Sequence, residues 1–203
     1  MKSFSEIETV SKRSCKAAGF SWGISEEAGK NIRLLEMFGL PGIKNLNEYL
    51  KKKKNEKFDN LILINNENKK TNFKFCPIST GTNFLDQIKN LENLNEIKFE
   101  NMGYPLLFLP FASRASEIIG KRLLLKLDNN QFLLNFNLTI NTNFFKNEII
   151  KESKSTSVSI LENKDMFSEI EWKELYSLSE DTFVEENESL KKNAAGAGLN
   201  DND

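Results

Sequence analysis

The chain has 203 residues, 39% of them hydrophobic and 28% charged, with a net charge of −1. That length holds one substantial core or two small ones, and the near-zero charge argues against a nucleic-acid binder, which carries a basic surplus to neutralise phosphates. The complete absence of histidine removes Ser-His-Asp and Cys-His nucleophilic machinery, histidine-bearing zinc sites and the usual proton shuttle near neutral pH.

Residues 1 to about 55 read as helical. Ser3 and Glu6 have the S-x-x-E spacing of a capping box. Ile7, Val10, Ser14 and Ala17-Ala18 follow at helical spacing, and Gly19 is placed to stop the helix. After the turn Phe20-Ser21-Trp22-Gly23, Ser25 is the expected second N-cap. Ile24, Ala28, Ile32, Leu35 and Phe38 then form one apolar stripe that ends at Gly39-Leu40-Pro41-Gly42. A third helix buries Ile43, Leu46, Tyr49 and Leu50 and runs out into Lys51-Lys52-Lys53-Lys54, charges suited to a helix C-terminus.

From Phe58 the period changes. Leu61-Ile62-Leu63-Ile64 is a short apolar run, expected as a buried strand, and Phe73 and Phe75 alternate with polar neighbours as a second strand. Phe84 to Leu91 reads as a helix, Tyr104 to Leu109 as an apolar strand, and Ala112 to Ile119 as a short helix closed by Gly120. Leu123 to Leu127 and Phe132 to Phe136 flank Asp128-Asn129-Asn130-Gln131, the clearest β-hairpin in the chain. A strand is expected around Val158 to Leu161, then an amphipathic helix from Phe167 to Phe183 carrying Ile170, Trp172, Leu175 and Leu178. The pattern predicts an α+β fold, with N-terminal helices packed on a mixed, mainly antiparallel sheet. A single domain is expected over residues 1–193, helical over 1–55 and sheet-containing over 56–193, followed by a Gly/Ala tail over 194–203.

Two cysteines, Cys15 and Cys76, are too few for a four-thiolate metal site and suit a reducing compartment. The first residues lack the apolar core of a signal peptide, and no apolar run approaches the roughly 20 residues of a membrane span. A cytoplasmic location, with neither membrane nor nucleic acid as partner, is the expectation.

Two segments repeat a pattern of strand, proline, hydroxyl-bearing loop and helix: Phe73 to Thr82 and Leu106 to Ser116. Helix starts carry unpaired N–H groups. Beside Ser79, Thr80 and Ser113 they suggest an anion site, with Arg114 as a bidentate partner for carboxylate or phosphate. Plain capping explains the same hydroxyls. Cys76 is a candidate nucleophile at a strand end, where activation without histidine needs Lys, Arg or a helix dipole; as a small buried hydrophobe it needs none. Glu26, Lys30 and Arg33 share one helix face, which also follows the helix dipole. Gly29, inside that helix, costs about 1 kcal/mol against Ala and points to close approach of another backbone. The tail Ala194-Ala195-Gly196-Ala197-Gly198-Leu199-Asn200-Asp201-Asn202-Asp203 is one candidate for what approaches. Its carboxylates suit a cationic recognition pocket better than a metal, because no further acid cluster completes a ligand set.

The stretch Ala17 to Lys30, with its G-F-S-W-G-I-S-E-E-A-G run, and the Gly/Ala tail ending Asp201-Asn202-Asp203 resemble an uncharacterised bacterial family. Its members open with a G-x-S-W-G-x-x-E-E-A-G stretch and end in G-A-G-A-G-L-x-D-N-D, and Ala194 replaces the first tail glycine here. The resemblance implies that the tail and the Trp22 turn are family features; it implies no activity and no cofactor.

These readings converge on a non-catalytic binding or accessory protein in small-molecule metabolism, whose tail docks into a groove on itself or on a protein partner. Trp22, Gly23, Glu26, Gly29 and Lys30 would form the groove, and Gly196, Gly198, Asp201, Asn202 and Asp203 the docking end. The alternative is a histidine-free enzyme in which Cys76, Ser79, Thr80, Ser113 and Arg114 bind a small anion under the tail carboxylates. Truncation after Asn193 tests the tail. Docking on the chain itself lowers the melting temperature by several degrees, a recognition peptide removes a partner from a pull-down, and an ordinary terminus changes neither.

Overall fold

The computed structural model describes residues 2–65, 72–144, 148–162 and 164–182. The chain divides into two compact units, 1–163 and 164–203. Unit 1 is α+β: three helices, α1 (Phe4–Ala17), α2 (Trp22–Met37) and α3 (Gly42–Lys53), precede α4 (Pro77–Asp86), α5 (Ile88–Leu94), α6 (Leu109–Ile119) and five strands. The strands are β1 (Glu96–Gly103), β2 (Arg122–Leu127), β3 (Asn130–Leu134), β4 (Ile140–Thr142) and β5 (Glu152–Leu161). They form one sheet in the order β1-β5-β2-β3-β4, with every neighbouring pair antiparallel.

Caps set the first helices. Ser3 accepts a hydrogen bond from the Glu6 N–H, but the Glu6 carboxylate turns to Lys2 at 2.8 Å instead of closing the box. The second cap is Ser21, which accepts from the Ile24 N–H. Ser25 lies inside α2, buried, and its hydroxyl donates to the Ser21 carbonyl. The buried face of α1 is Ser11 and Cys15, with Val10 exposed. The expected stripe is rotated away because α1 meets α2 through small side chains. A Cβ on Gly29 would lie 2.7 Å from the Glu8 carbonyl oxygen, so the backbone that approaches Gly29 is that of α1. At the next turn Glu36 caps α3 by accepting from the Ile43 N–H at 2.8 Å.

Leu61 to Ile64 is irregular and pairs with no strand among the described residues. Its backbone is bonded by side chains of α4 and of Gln87 just after it: Thr80 accepts from the Leu61 N–H, Asn83 donates to the Leu61 carbonyl, and Gln87 bonds both the Ile62 carbonyl and the Ile64 N–H. Leu61 and Ile64 are buried while Ile62 and Leu63 face solvent. Residues 73–76 also differ from the expected strand, making only isolated parallel bridges from Phe75 to Asp59 and to Met102. Both hydroxyl-bearing loops are already helix, since Pro77 and Pro110 sit in the first turns of α4 and α6. The helix expected over Phe84 to Leu91 is the end of α4 followed by α5. The run Tyr104 to Leu109 is a 3-10 turn (Pro105–Leu107) leading into α6, a case where a short apolar run does not separate helix from strand.

The hairpin forms as expected, with Asp128 at φ 51° in its turn and its carboxylate accepting from the Lys154 and Ser155 N–H groups of β5. Beneath the sheet the core is aromatic. Phe75 meets Phe99 at 5.6 Å between ring centroids, Phe99 meets Phe108 at 5.6 Å, and Phe108 meets Phe84 at 5.3 Å. Unit 2 contributes α7 (Glu169–Glu180), capped by a full reciprocal box between Ser168 and Glu171. No helix among the described residues is long and apolar enough to cross a membrane.

The α4–α6 contact depends on Gly81, where a Cβ would enter the Phe111 ring. Both residues are fully packed, so Gly81→Ala is expected to cost about 1–3 kcal/mol through overpacking. Gly23→Ala, where nothing lies within 4 Å of the new methyl, should leave stability level or slightly higher. Urea unfolding midpoints of the two variants against wild type check the contrast.

Candidate functional site

The first helices and the segment after them enclose a cavity of about 410 Å³. Four rings form its walls: Phe20 from the α1–α2 turn, Tyr49 from α3, and Phe58 and Phe73 from the irregular segments. Cys76 and Ser79, at the start of α4, face it, together with Lys53, Glu56, Lys57, Asp59 and Asn60. Tyr49 organises the walls, with its ring 5.2 Å from Phe58, 5.7 Å from Tyr104 and 6.5 Å from Phe20.

The polar end of Tyr49 is buried, and its hydroxyl shares a 2.9 Å hydrogen bond with the Cys76 thiol. The same sulfur accepts from the Ser79 N–H at 3.3 Å, so Cys76 is the N-cap of α4. Burial, reinforced by Cys76, pushes the Tyr49 phenol well above its ordinary range, which keeps it protonated. Cys15, fully buried, has its thiol pushed up to about 12 by burial and then by Cys76, a value that leaves it inert as a nucleophile.

The charges of the cavity are unevenly engaged. Asp59 accepts from the Phe73 N–H at 3.0 Å, and Glu56 lies 3.5 Å from Lys52. Lys53 donates to the Ala18 carbonyl at 3.3 Å with its ammonium 4.6 Å from the Phe20 ring centroid. Neither Lys53 nor Lys57 has a carboxylate partner among the described residues. Two cations beside four rings can hold an anion with a flat apolar body.

A second cluster lies on α2. Arg114 of α6 reaches Glu27 at 2.5 Å and Asn31 at 3.3 Å. Lys30 bridges Glu27 at 3.0 Å and Glu26 at 3.4 Å, and Lys12 of α1 reaches Glu26 at 3.2 Å. Arg33 pairs with Glu8 at 2.9 Å. Burial pushes the Glu27 carboxyl up, but the bonds from Arg114 and Lys30 and their charges outweigh it, so it titrates below its ordinary value.

The candidate residues thus fall in several places. Cys76 and Ser79 face the cavity. Thr80 is buried and serves the Leu61 N–H. Ser113 is buried in α6 with no hydrogen-bond partner for its hydroxyl among the described residues, and Arg114 turns to α2. Trp22 is 57% exposed at the first turn of α2 under the Lys16 ammonium. Gly23 is exposed beside it, Glu26 and Lys30 belong to the ionic cluster, and Gly29 is covered by α1. Gly196, Gly198, Asp201, Asn202 and Asp203 lie outside the described residues. Tyr49, Lys53, Lys57, Phe58 and Phe73 are cavity residues that sequence reasoning missed. The one available signal was the crowding of aromatic and basic residues between Tyr49 and Phe58. Among the described residues no group of three or more Cys, Asp or Glu gathers as a metal would require.

The fold and cavity define an α+β protein with an aromatic-walled pocket lined by two lysines and two carboxylates. Residues 2–73 match the family model described as "Protein of unknown function (DUF3726)". The match spans α1–α3 and every cavity residue named above except Cys76 and Ser79. No curated protein and no solved structure matches the chain.

The Glu27 pair makes stability depend on pH with a definite sign. A carboxyl whose folded value is depressed contributes fully above its unfolded value, here near the ordinary 4.5, and the contribution is lost as pH falls through the lowered folded value. Wild type should therefore be more stable than Glu27→Gln at neutral pH, with the gap closing below about pH 4.5. Denaturant unfolding of both proteins across that range measures it.

Proposed function

We propose that the chain is a non-catalytic binding protein, and that its ligand is a small amphipathic anion seated in the cavity beside Tyr49. The observation that carries this reading is the pairing pattern of the cavity charges: Asp59 and Glu56 are engaged by their own neighbours, while Lys53 and Lys57 have no carboxylate among the described residues. The rings of Phe20, Tyr49, Phe58 and Phe73 supply the apolar walls that fix the ligand body. A carboxylate, sulfonate or phosphate would be met by the two ammonium groups, and Asn60 and Ser79 offer neutral hydrogen bonds.

The alternative, a histidine-free enzyme using Cys76, has less support. Cys76 is 3% exposed, and its thiol is already bonded to Tyr49 and to the Ser79 N–H. Tyr49, held protonated, cannot take the thiol proton, and among the described residues no carboxylate or amine is hydrogen-bonded to the thiol.

Anilinonaphthalene sulfonate is a suitable probe, with the uncharged anilinonaphthalene as control. The sulfonate is expected to stabilise the protein by about 2.7 kcal/mol at a hundredfold excess over its Kd, and the neutral analogue by much less. Lys57→Ala and Lys53→Ala should each weaken sulfonate binding several-fold in calorimetric titration. Equal binding of the two probes, or sulfonate binding indifferent to both lysines, would falsify the reading.

A further inference from the structure

The charges that line the cavity are of both signs, and their partners differ in kind. Glu56 has the Lys52 ammonium at 3.5 Å. Asp59 has no cation at ion-pair distance among the described residues; one of its oxygens accepts from the Phe73 N–H at 3.0 Å, and that donor is uncharged. A carboxylate offers about four acceptor positions. Asp59 is therefore engaged without being neutralised, and its second oxygen has no partner among the described residues.

The residue is firmly placed. Its N–H donates to the Lys74 carbonyl at 2.9 Å, and its carbonyl accepts from the Cys76 N–H at 2.7 Å. With the Phe73 bond, three contacts fix Asp59 against the stretch that leads into α4. Phe58 precedes it in the chain, Phe73 supplies the N–H, and both rings line the cavity with it. A carboxylate beside aromatic rings suits an ammonium group, which gains an ion pair from the one and cation–π attraction from the others. Lys53 is anchored elsewhere, to the Ala18 carbonyl at the end of α1 and over the Phe20 ring. The two signs of charge are thus held by different segments.

In such a pocket a simple anion meets the Asp59 carboxylate, and a simple cation meets two lysines. A ligand with both charges avoids both repulsions. We infer that the ligand is a zwitterion of the amino-acid class, with a carboxylate for Lys53 and Lys57, an ammonium for Asp59 and an apolar side chain among the rings. The second Asp59 oxygen calls for N–H donors, which a primary ammonium has and a quaternary one lacks. A volume of about 410 Å³ lies at the small end of ligand pockets, which suits a single amino acid. The inference rests on the reading that the cavity seats an amphipathic anion against its lysines, and adds a cationic group to that ligand.

Calorimetric titration of the full chain with three molecules of one phenyl body tests it. 3-Phenylpropionate carries only the carboxylate, phenethylamine only the ammonium, and L-phenylalanine both. L-Phenylalanine is expected to bind roughly fivefold or more tightly than 3-phenylpropionate, with phenethylamine weakest. Asp59→Asn removes the charge and keeps an acceptor for the Phe73 N–H, so the variant folds; circular dichroism checks that. In this variant the order should invert, because the ammonium of phenylalanine leaves water with no counter-charge. 3-Phenylpropionate should bind the variant as tightly as wild type or more so. If wild type binds 3-phenylpropionate as tightly as phenylalanine, or the preference for phenylalanine survives Asp59→Asn, the inference is overturned and the anion reading stands. Tightest binding by phenethylamine, or no binding by any of the three, overturns that reading and the inference with it.

Discussion

A phenol shut away from water must find its hydrogen-bond partner within the protein, and for Tyr49 that partner is the Cys76 thiol. Much of the first unit is arranged by this one contact. It ties the middle of α3 to the first turn of α4, where the same sulfur already serves as cap. The ring below the hydroxyl then sets where Phe20, Phe58 and Tyr104 stand. Removing the hydroxyl would leave the thiol with its backbone donor but loosen the joint between the helical third and the rest.

How much of this was legible depended on whether a segment answers to its own residues or to distant ones. The presence of α1, α2 and α3 follows from local helical spacing, although the buried face of α1 and the cap of α2 lie elsewhere than the local pattern indicates, and the β2–β3 hairpin follows from its turn. β5 was seen only at its apolar end. Ser153, Ser155, Thr156, Ser157 and Ser159 make most of it polar, yet it pairs with both β1 and β2. A strand bonded on both sides draws its order from its neighbours' backbones, and hydropathy does not report that. β1 went unread although Ile97 and Phe99 alternate, because charges fill the positions around them.

The site was less legible than the fold. The sequence marks Cys76 as lying at a strand end and Ser79 as lying beside a helix start; Cys76 is instead the N-cap of α4, and both face the cavity. Tyr49 read as core, which it is, and the lysine run after it read as a helix terminus. Both readings are correct locally and silent about a wall built from three separated segments. The sequence offers Arg114 as a partner for a bound carboxylate or phosphate, and in the structure its guanidinium pairs with Glu27 of its own chain. The even charge of the whole sequence likewise hid two units of opposite sign, since a total says nothing of distribution.

The segment from Leu61 to Ile64 shows what it means for side chains to take the place of a backbone partner. Thr80, Asn83 and Gln87 follow one another at intervals of three and four residues, the spacing of one helix face, and between them they meet the Leu61 N–H, the Leu61 and Ile62 carbonyls and the Ile64 N–H. In a sheet ladder every residue carries the same backbone donor and acceptor, so bonding alone tolerates a shifted register. Here a hydroxyl and two amides at fixed places must each find their own group, and a shifted segment would find none of them. The address of this stretch is therefore written in three side chains of a different element.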